Sequence, residues 1–484
     1  MVMKNNTTRF YKIDLADHPA SYELVELIKE FLRPSEYLVL NGRSDSKKQI
    51  EIPAEDLFSE IVELSLAGRD MNRDQAKQWL FRELERETGY RPEWGTLTGV
   101  RPVKMANELM ERKGYTTDEV RTILQDYYYL NEEKADLVME TSEVQRPVTG
   151  KPAGRTFGLY IGIPFCPTRC LYCAFTSNQQ PYSEVQRYLQ ALLKEVEAVG
   201  RQCSALGIRP ESVYLGGGTP TTLRAGDLDQ LLSAVEQAFD MSDVTEYCVE
   251  AGRPDTITED RLRVADAHGV GRISINPQSM NDSTLEKIGR THRSSDIRKA
   301  FQTAFAFPRL TINSDIIAGL PDEDYEMFMH TLDEVIALEP ENITVHTLAV
   351  KRSSKLHEID AEYHYAAGET GRMVYDARRL LARHGYRPYY MYRQKHMSGN
   401  YENVSYAKPG TESVYNIRIM DEHQTIVALG AGGISKAYYG PENRLERVPN
   451  VSNYRIYIER IDEMIERKKQ KLYGPFEDRS GNDE

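Results

Sequence analysis

The chain has 484 residues, of which 40% are hydrophobic and 28% are charged, and its formal net charge is −13. This length predicts two or three domains rather than one small core, and the negative charge makes nucleic acid an unfavourable partner. Because no run of about 18 apolar residues occurs and no apolar stretch follows the first lysine, the protein is expected to be cytoplasmic and to make no membrane contact.

Residues 1–145 are expected to form an N-terminal α+β domain, for which the sequence suggests no role. Short alternating apolar stretches predict strands, and longer periodic segments predict helices. The predicted strands are residues 10–15 and 37–40, and the predicted helices are residues 54–66, 73–87 and 117–141. A linker is expected at residues 146–156, where two prolines and two glycines interrupt any periodicity.

Residues 157–385 show a regular alternation of β-rich apolar runs and amphipathic helical segments. The predicted strands are residues 157–163, 213–216, 247–250, 272–275, 310–317 and 343–348. Six βα repeats imply parallel strands with right-handed crossovers, which fits either a doubly wound sheet or an open barrel. The motifs below follow different strands at their C-terminal ends, where barrel enzymes build their sites, so a partial (β/α)6 barrel is predicted.

Residues 386–484 are expected to form a mixed α/β extension that adds elements on the substrate side of the barrel. A strand is predicted at residues 424–429 and a helix at residues 454–471, and the last seven residues are expected to be disordered. The chain is therefore assigned to the α/β class, as a barrel flanked by an α+β domain and a mixed α/β extension.

Three of the five cysteines, Cys166, Cys170 and Cys173, are clustered directly after the first barrel strand. An odd cysteine count argues against a disulfide framework, and thiolates at this C-x3-C-x2-C spacing suit an iron–sulfur cluster. Three thiolates leave one iron of a four-iron cluster open for the amino and carboxylate groups of S-adenosylmethionine (SAM). A zinc site would need a fourth ligand nearby. The other two cysteines, Cys203 and Cys248, are interpreted as packed small residues.

A glycine-rich motif, GGGTP, ends the second barrel strand at residues 216–220. Glycines let a backbone approach a ligand closely and expose its amide groups, which here would face the methionine end of SAM. The alternative is an ordinary glycine-rich turn between a strand and a helix.

With these motifs the chain resembles the oxygen-independent coproporphyrinogen III oxidases (coproporphyrinogen dehydrogenases) among the radical SAM enzymes, most of all a Gram-positive-type branch with an extra N-terminal domain. The motifs that agree in order between residues 157 and 439 are Y-x-x-I-P-F-C-x3-C-x2-C, GGGTP, the glutamate of CVEAGRPD, R-x-S-x-x-x-Q, DIIAGLP, GYRPYY and LGAGGIS. The resemblance implies a radical SAM barrel, a [4Fe–4S] cluster on the three cysteines, one SAM at the cluster and possibly a second.

The same resemblance implies a set of cofactor-binding residues. Those near the first SAM are Tyr160, Gly217, Gly218, Thr219 and Glu250, with Glu250 on the ribose hydroxyls. Those near the second SAM are Gln278, Arg290 and Asp315. Tyr172 lies where the family often has phenylalanine, and Ala349 falls on a backbone contact to adenine.

The implied reaction is oxidative decarboxylation of two propionates of coproporphyrinogen III to vinyl groups, which gives protoporphyrinogen IX in haem biosynthesis. The implied partners are a porphyrinogen substrate and an unidentified electron donor and acceptor. Four propionates need cationic side chains, for which the candidates are Arg253, Arg293, Arg352 and Arg393.

Two departures from the family pattern leave alternatives open. Gly162 stands where the family commonly has histidine, and Asn276 stands where it has glycine. One alternative is a haem-binding, chaperone-like relative without oxidase activity. Another is a radical SAM enzyme that acts on haem, or on RNA through the N-terminal domain, where residues 94–104 (WGTLTGVRPVK) are compatible with a basic contact.

Overall fold

A computed structural model of the chain describes residues 9–42, 58–99, 101–150, 154–173, 177–365 and 368–477. The chain divides into two compact units, Met1–Met139 and Glu140–Glu484. Within the described residues, no helix is both long enough and apolar enough to cross a bilayer.

The first unit contains a three-stranded parallel sheet covered by helices. Its strands are β1 (Arg9–Asp14), β2 (Tyr37–Leu40) and β3 (Glu60–Ser65), in the order β2-β1-β3. Its helices are α1 (Ser21–Phe31), α2 (Arg73–Thr88), α3 (Pro102–Lys113) and α4 (Thr117–Thr122), and α5 (Glu132–Thr149) begins in this unit. Leu27 of α1 and Leu80 of α2 are fully buried in one core with Ile13 of β1, because each element turns its apolar face to the others.

The helix predicted at residues 54–66 is wrong, because residues 60–65 form strand β3. Val62 and Leu64 lie against the core, whereas Glu63 between them is exposed. This alternation has the period of two that belongs to a strand. Residues 54–57 lie outside the described part of the chain.

The helix predicted at residues 117–141 is interrupted. After α4 comes a single π-helical turn, Ile123–Tyr127, and α5 begins only at Glu132. Tyr129 adopts a left-handed conformation with φ +61° and packs on the core of the first unit. The side chain of Asn131 then accepts a hydrogen bond of 2.8 Å from the amide of Lys134, which caps the new helix.

The linker predicted at residues 146–156 is wrong at its start, because α5 continues to Thr149. Val144 and Val148 lie one turn apart and pack against Tyr389 and Ile417, so apolar contacts hold the last turn. Pro147 is accommodated in that turn. Residues 151–153 lie outside the described part of the chain.

The second unit is built on one eleven-stranded sheet. Its strands are β4 (Thr156–Ile163), β5 (Arg209–Gly217), β6 (Glu246–Val249), β7 (Arg272–Ser274), β8 (Thr311–Ala318), β9 (Asn342–Thr347), β10 (Arg387–Tyr392), β11 (Asn403–Ala407), β12 (Ile426–Leu429), β13 (Ile434–Tyr439) and β14 (Arg444–Pro449). The order is β10-β11-β9-β8-β7-β6-β5-β4-β12-β13-β14. Strands β4 to β9 are the six that the sequence predicted.

The helices of the second unit follow the strands in alternation. They are α6 (Tyr182–Leu206), α7 (Ala225–Ala238), α8 (Glu259–Ala267), α9 (Asp282–Lys287), α10 (Ser294–Ala304), α11 (Tyr325–Ala337), α12 (Lys355–Ile359), α13 (Thr370–Arg383), α14 (Val414–Asp421), α15 (Tyr454–Glu459), α16 (Ile461–Lys471) and α17 (Gly474–Glu477).

The strand order decides between the two architectures that the βα alternation allowed. Strands β4 to β9 are neighbours in chain order and all parallel, without the reversal that defines a doubly wound sheet. Right-handed crossovers then put the connecting helices on one face, as in a barrel. The predicted partial (β/α)6 barrel is confirmed.

The C-terminal extension lengthens the barrel sheet at both edges. Strand β12 pairs in parallel with β4, and β11 pairs antiparallel with β9. The helix predicted at residues 454–471 is two helices that meet at Arg460, and both Tyr457 of α15 and Lys468 of α16 bond the buried Glu195 of α6. The disorder predicted for the last seven residues falls outside the described residues.

Candidate functional site

A cavity of about 460 Å³ lies at the C-terminal ends of the barrel strands. Every predicted cofactor or cluster residue except Tyr160 lines it: Cys166, Cys170, Tyr172, Cys173, Gly217, Gly218, Thr219, Glu250, Gln278, Arg290, Asp315 and Ala349. Residues that are up to about 180 positions apart in sequence therefore meet in one place, because the C-terminal ends of parallel strands share one rim of the barrel.

A second, larger cavity of about 730 Å³ lies at the opposite, N-terminal ends of β6 to β8 and contains none of the predicted residues. Its charged groups are bonded within the protein. Glu246 accepts hydrogen bonds from the hydroxyl of Ser413 and the amide of Val414, and Arg272 bonds Asn313 and lies 3.3 Å from Glu246. At this face of a barrel such networks stabilise the fold, so the smaller cavity is the candidate site.

Polar groups surround the thiols of the cysteine loop. The hydroxyl of Thr219 lies 3.5 Å from Sγ of Cys166, and Nη1 of Arg253 lies 3.9 Å from Sγ of Cys170. Burial raises the pKa of the Cys166 thiol, and the contacts with Thr219 and Arg253 act against that rise. Metal binding would remove the thiol protons, and the two polar neighbours favour the resulting thiolates.

The donor set fits a cluster better than a single metal ion. Among the described residues, no group of three histidine, cysteine or acidic side chains is placed to hold one metal ion, as a tetrahedral zinc site would require. In a four-iron cluster each thiolate binds its own iron, so the thiols need not converge. Cys203 and Cys248 are each 1% exposed and do not line the cavity, which confirms that they are packed residues.

The glycines at the end of β5 are required by close packing on both sides. A Cβ at Gly216 would lie 2.8 Å from Oε2 of Glu250, and a Cβ at Gly218 would lie 2.9 Å from Sγ of Cys166. The sequence predicted that this motif exposes its amides to a ligand. Instead, the amide of Gly218 donates to the carbonyl of Ile163, and that of Thr219 donates to the carbonyl of Phe165. These amides hold the cysteine loop in place.

Glu250 follows β6 and faces the glycine motif. The hydroxyl of Tyr214 donates a hydrogen bond of 2.6 Å to its Oε1. Burial raises the pKa of Glu250 to about 7, the hydrogen bond from Tyr214 lowers it, and the nearby charge of Asp315 raises it. A carboxylate that titrates near neutral pH can accept two hydroxyl hydrogen bonds once it is ionised.

Tyr160 does not reach the cavity. Its ring stacks with Tyr214 at 6.3 Å between centroids, and Tyr214 stacks with Tyr415 of α14 at 4.4 Å. The three rings form a layer beneath the glycine motif, and the Tyr160 hydroxyl lies 3.3 Å from the place of a Gly217 Cβ. Tyr415 was not foreseen, since it joins the layer from the C-terminal extension.

The residues predicted near a second SAM line the same cavity. Gln278 has φ +68° and forms a parallel bridge with β8, in which its amide donates to the carbonyl of Asp315. Asp315 lies 3.6 Å from Nε2 of His346. Nε of Arg290 and Oδ1 of Asn276 are buried without a hydrogen-bond partner within the described protein. Buried polar atoms in this state are costly and are expected where a ligand supplies the missing bond.

The arginines predicted to hold propionates are not available in the cavity. Arg253 lines it but is bonded to Asp255, and Arg393 is 6% exposed and donates to the carbonyl of Asn400. Arg293 and Arg352 are exposed and do not line it. Sequence reasoning missed the lysine and histidine that do. His346 and Lys351 lie at or beyond the end of β9, and their place at a barrel strand end is the signal that would have found them.

Gly162 is covered by the C-terminal extension. A Cβ there would lie 3.4 Å from the carbonyl oxygen of Leu429, and a Cβ at Gly430 would lie 2.4 Å from the carbonyl oxygen of Gly162. The hydroxyl of Tyr188 also donates to that carbonyl at 2.6 Å. The turn after β12 therefore lies in contact with the place of a Gly162 Cβ, and Gly162 does not line the cavity.

Residues 160–335 match the Radical SAM superfamily. The chain is 34% identical over 474 residues to the oxygen-independent coproporphyrinogen-III oxidase-like protein HemZ of Bacillus subtilis (strain 168), and the alignment covers 94% of each chain. It is also 28% identical over 307 residues to the heme chaperone HemW of the same organism, covering 63% of this chain and 76% of HemW.

A solved structure also resembles the chain. Coproporphyrinogen III oxidase (HemN) from Escherichia coli is 24% identical and aligns with a TM-score of 0.50 over 64% of this chain and 70% of HemN. At this level of identity the likeness supports a shared fold. The match to HemZ extends through most of residues 1–145 as well, because it covers 94% of the chain.

Proposed function

Because the chain belongs to the oxygen-independent coproporphyrinogen-III oxidase-like family of the radical SAM superfamily, we propose that it decarboxylates coproporphyrinogen III. The reaction converts two propionates to vinyl groups and gives protoporphyrinogen IX. Family membership itself implies a [4Fe–4S] cluster and SAM. The oxidase reaction, a second SAM, and the electron donor and acceptor are parts of the proposal.

The observation that carries the proposal is the cavity that joins the three cysteines to polar residues in or after β6, β7, β8 and β9. When bound at Cys166, Cys170 and Cys173, a [4Fe–4S] cluster with SAM supplies a 5′-deoxyadenosyl radical. A substrate in the same cavity would be within reach of that radical.

The chain's own residues would position the ligands. Glu250, ionised, would accept hydrogen bonds from the ribose hydroxyls of SAM while Tyr214 fixes its orientation. Gln278, Arg290 and Asp315 would hold a second SAM, and the backbone of Ala349 would contact adenine. The unpartnered Nε of Arg290 supports a ligand on this side.

The test is an anaerobic assay of the full chain with reconstituted cluster, reductant, SAM and coproporphyrinogen III. We expect protoporphyrinogen IX and 5′-deoxyadenosine in the wild type and neither in Cys166→Ala. Cys203→Ala is the matched control, since Cys203 is buried away from the cavity, and it should retain activity. SAM cleavage without vinyl product would rule out the oxidase reaction.

A second candidate function is haem binding by a chaperone-like protein that keeps the cluster but performs no decarboxylation. Two observations favour it, the 28% identity to the heme chaperone HemW and Gly162 in place of the family histidine. Stoichiometric haem binding by the wild type, together with no turnover of SAM in the presence of coproporphyrinogen, would select this function over the oxidase.

A further inference from the structure

Lys351 is a cation of the cavity with no side-chain partner among the residues that the structure describes. It follows β9, lines the cavity and is half-buried. Its ammonium forms no ion pair or hydrogen bond with any residue that the structure describes. The other cationic side chains that line the cavity are bonded, since Arg253 holds Asp255 and Arg290 donates to Tyr172 and the carbonyl of Gly252.

No described residue of the protein places an anionic group beside Lys351. Burial lowers the pKa of Lys351, and no carboxylate within the described part of the chain lies close enough to oppose that effect. The two acidic side chains of the cavity are engaged elsewhere, because Glu250 accepts from Tyr214 and Asp315 lies beside His346. Desolvating an ammonium without a counter-charge costs free energy, which a bound carboxylate recovers.

We propose that Lys351 binds a propionate carboxylate of the tetrapyrrole substrate. This inference rests on the proposed function. A SAM at the cluster uses its own carboxylate on iron, whereas a coproporphyrinogen brings four propionates and needs cations for them. With Arg293 and Arg352 outside the cavity and Arg253 bonded to Asp255, Lys351 is the side chain suited to this role. Its three donors on a flexible stem bind a carboxylate as a point charge.

The experiment is a fluorescence titration of the anaerobically reconstituted full chain with coproporphyrin III, the stable oxidised form that carries the same propionates. We expect Lys351→Met to bind it at least about tenfold more weakly than the wild type, the factor for one lost charge-assisted hydrogen bond. Lys351→Arg should retain most of the affinity. Lys355→Met is the matched control, because Lys355 is exposed four residues further on and does not line the cavity, and it should bind as the wild type does.

Two further measurements assign the effect to the propionate. Coproporphyrin tetramethyl ester, which has no carboxylates, should bind to the wild type and Lys351→Met equally well. The affinity for SAM, measured without porphyrin, should be the same in both proteins. Equal affinity of the two proteins for coproporphyrin III would overturn the proposal, and so would a loss confined to SAM.

The outcome separates this inference from the oxidase reaction. A wild type that forms vinyl product, with Lys351→Met binding coproporphyrin III equally tightly, rejects the role of the lysine alone. A wild type that binds coproporphyrin III through Lys351 but forms no vinyl product supports the role of the lysine and rejects the oxidase. No binding of coproporphyrin III by the wild type rejects the role of the lysine, and the anaerobic assay with coproporphyrinogen III then decides on the oxidase reaction independently.

Discussion

The guanidinium of Arg290 donates a hydrogen bond of 3.2 Å to the phenol oxygen of Tyr172, which joins a residue predicted near a second SAM to a residue of the cysteine loop. A backbone hydrogen bond of 2.9 Å from Leu171 to the carbonyl of Ile288 runs beside it. The cysteine loop is thus docked on the segment that carries Arg290. A change at either residue is expected to affect both sides of the cavity.

Tyr172→Phe should destabilise the protein. The substitution removes the acceptor of one guanidinium N–H in a partly buried setting, which costs about 1–3 kcal/mol. We expect the free energy of unfolding in urea to fall by about that amount. Tyr247→Phe is the control, because the Tyr247 hydroxyl is buried without a partner among the described residues, and its removal should leave stability unchanged or raise it. Equal losses in the two variants would contradict the role of the Tyr172–Arg290 hydrogen bond.

SAM affinity should rise with pH through about 7 in the wild type. Burial raises the pKa of Glu250 to about 7, and only the ionised carboxylate accepts two ribose hydrogen bonds. Glu250→Gln should bind SAM more weakly and without this pH dependence. Equilibrium binding of SAM at a series of pH values around 7 measures it, and the same pH dependence in both proteins would exclude Glu250 as its source.

The same carboxyl group should make the protein less stable as pH rises from about 4.5 to about 7. The folded protein keeps this proton up to about pH 7, whereas the unfolded chain releases it near the ordinary value of 4.5. Between those values the folded state binds more protons, so its stability falls with rising pH. The difference in unfolding free energy between the wild type and Glu250→Gln should decline over this range and level off above it. A difference that is constant with pH would argue against the raised pKa.

Gly218→Ala should impair cluster assembly. A Cβ at this position would lie 2.6 Å from the carbonyl oxygen of Phe165 and 2.9 Å from Sγ of Cys166, so the cysteine loop must shift. We expect the iron bound per chain after anaerobic reconstitution to fall to less than about half of the wild-type content, because the backbone can no longer approach the cysteine loop as closely. Gly226→Ala, where a Cβ would meet no atom within 4 Å, should reconstitute normally. Full iron content in Gly218→Ala would show that the loop tolerates the methyl group.

Lys468→Met should be strongly destabilising. Its ammonium donates 2.7 Å to Oε1 of Glu195, both side chains are fully buried, and Oε2 of Glu195 accepts from the amide of Gly430. Removing one partner leaves a buried charge uncompensated, at a cost of about 3–5 kcal/mol. Lys469→Met, on the exposed side of α16, should be near neutral in the same urea titration. Similar midpoints for the two variants would indicate that Glu195 is neutral in the folded protein.

Local spacing made much of the cavity predictable. One loop carries Cys166, Cys170 and Cys173, and one strand end carries Gly217 and Gly218. Each group is close together in the sequence, so its role could be predicted from local spacing. Glu250, Gln278 and Asp315 could be placed with them because parallel strands in chain order bring their C-terminal ends to one rim. The six barrel strands were found for a similar reason, since buried parallel strands are continuous apolar runs.

Prediction of secondary structure from the sequence alone was least reliable where the hydrophobic pattern covered only a few residues. Residues 60–65 form too short a segment for their apolar positions to distinguish a strand from a helix. In the structure this segment pairs with β1 and is therefore a strand. At residues 146–149 the composition suggested a linker, but the contacts of Val144 and Val148 with Tyr389 and Ile417 extend the helix. In both places the deciding contact is with an element distant in sequence.

The sequence by itself determined that three thiolates, a glycine-rich strand end and Glu250 surround one site on a (β/α)6 barrel. Only the tertiary structure decided which charges remain available there. It bonds Arg290 to Tyr172, stacks Tyr415 beneath the glycines and leaves Lys351 without a counter-charge among the described residues. The physical reason is that the pairing of a side chain depends on burial and on neighbours from other strands, whereas the identity and spacing of residues in one loop are local.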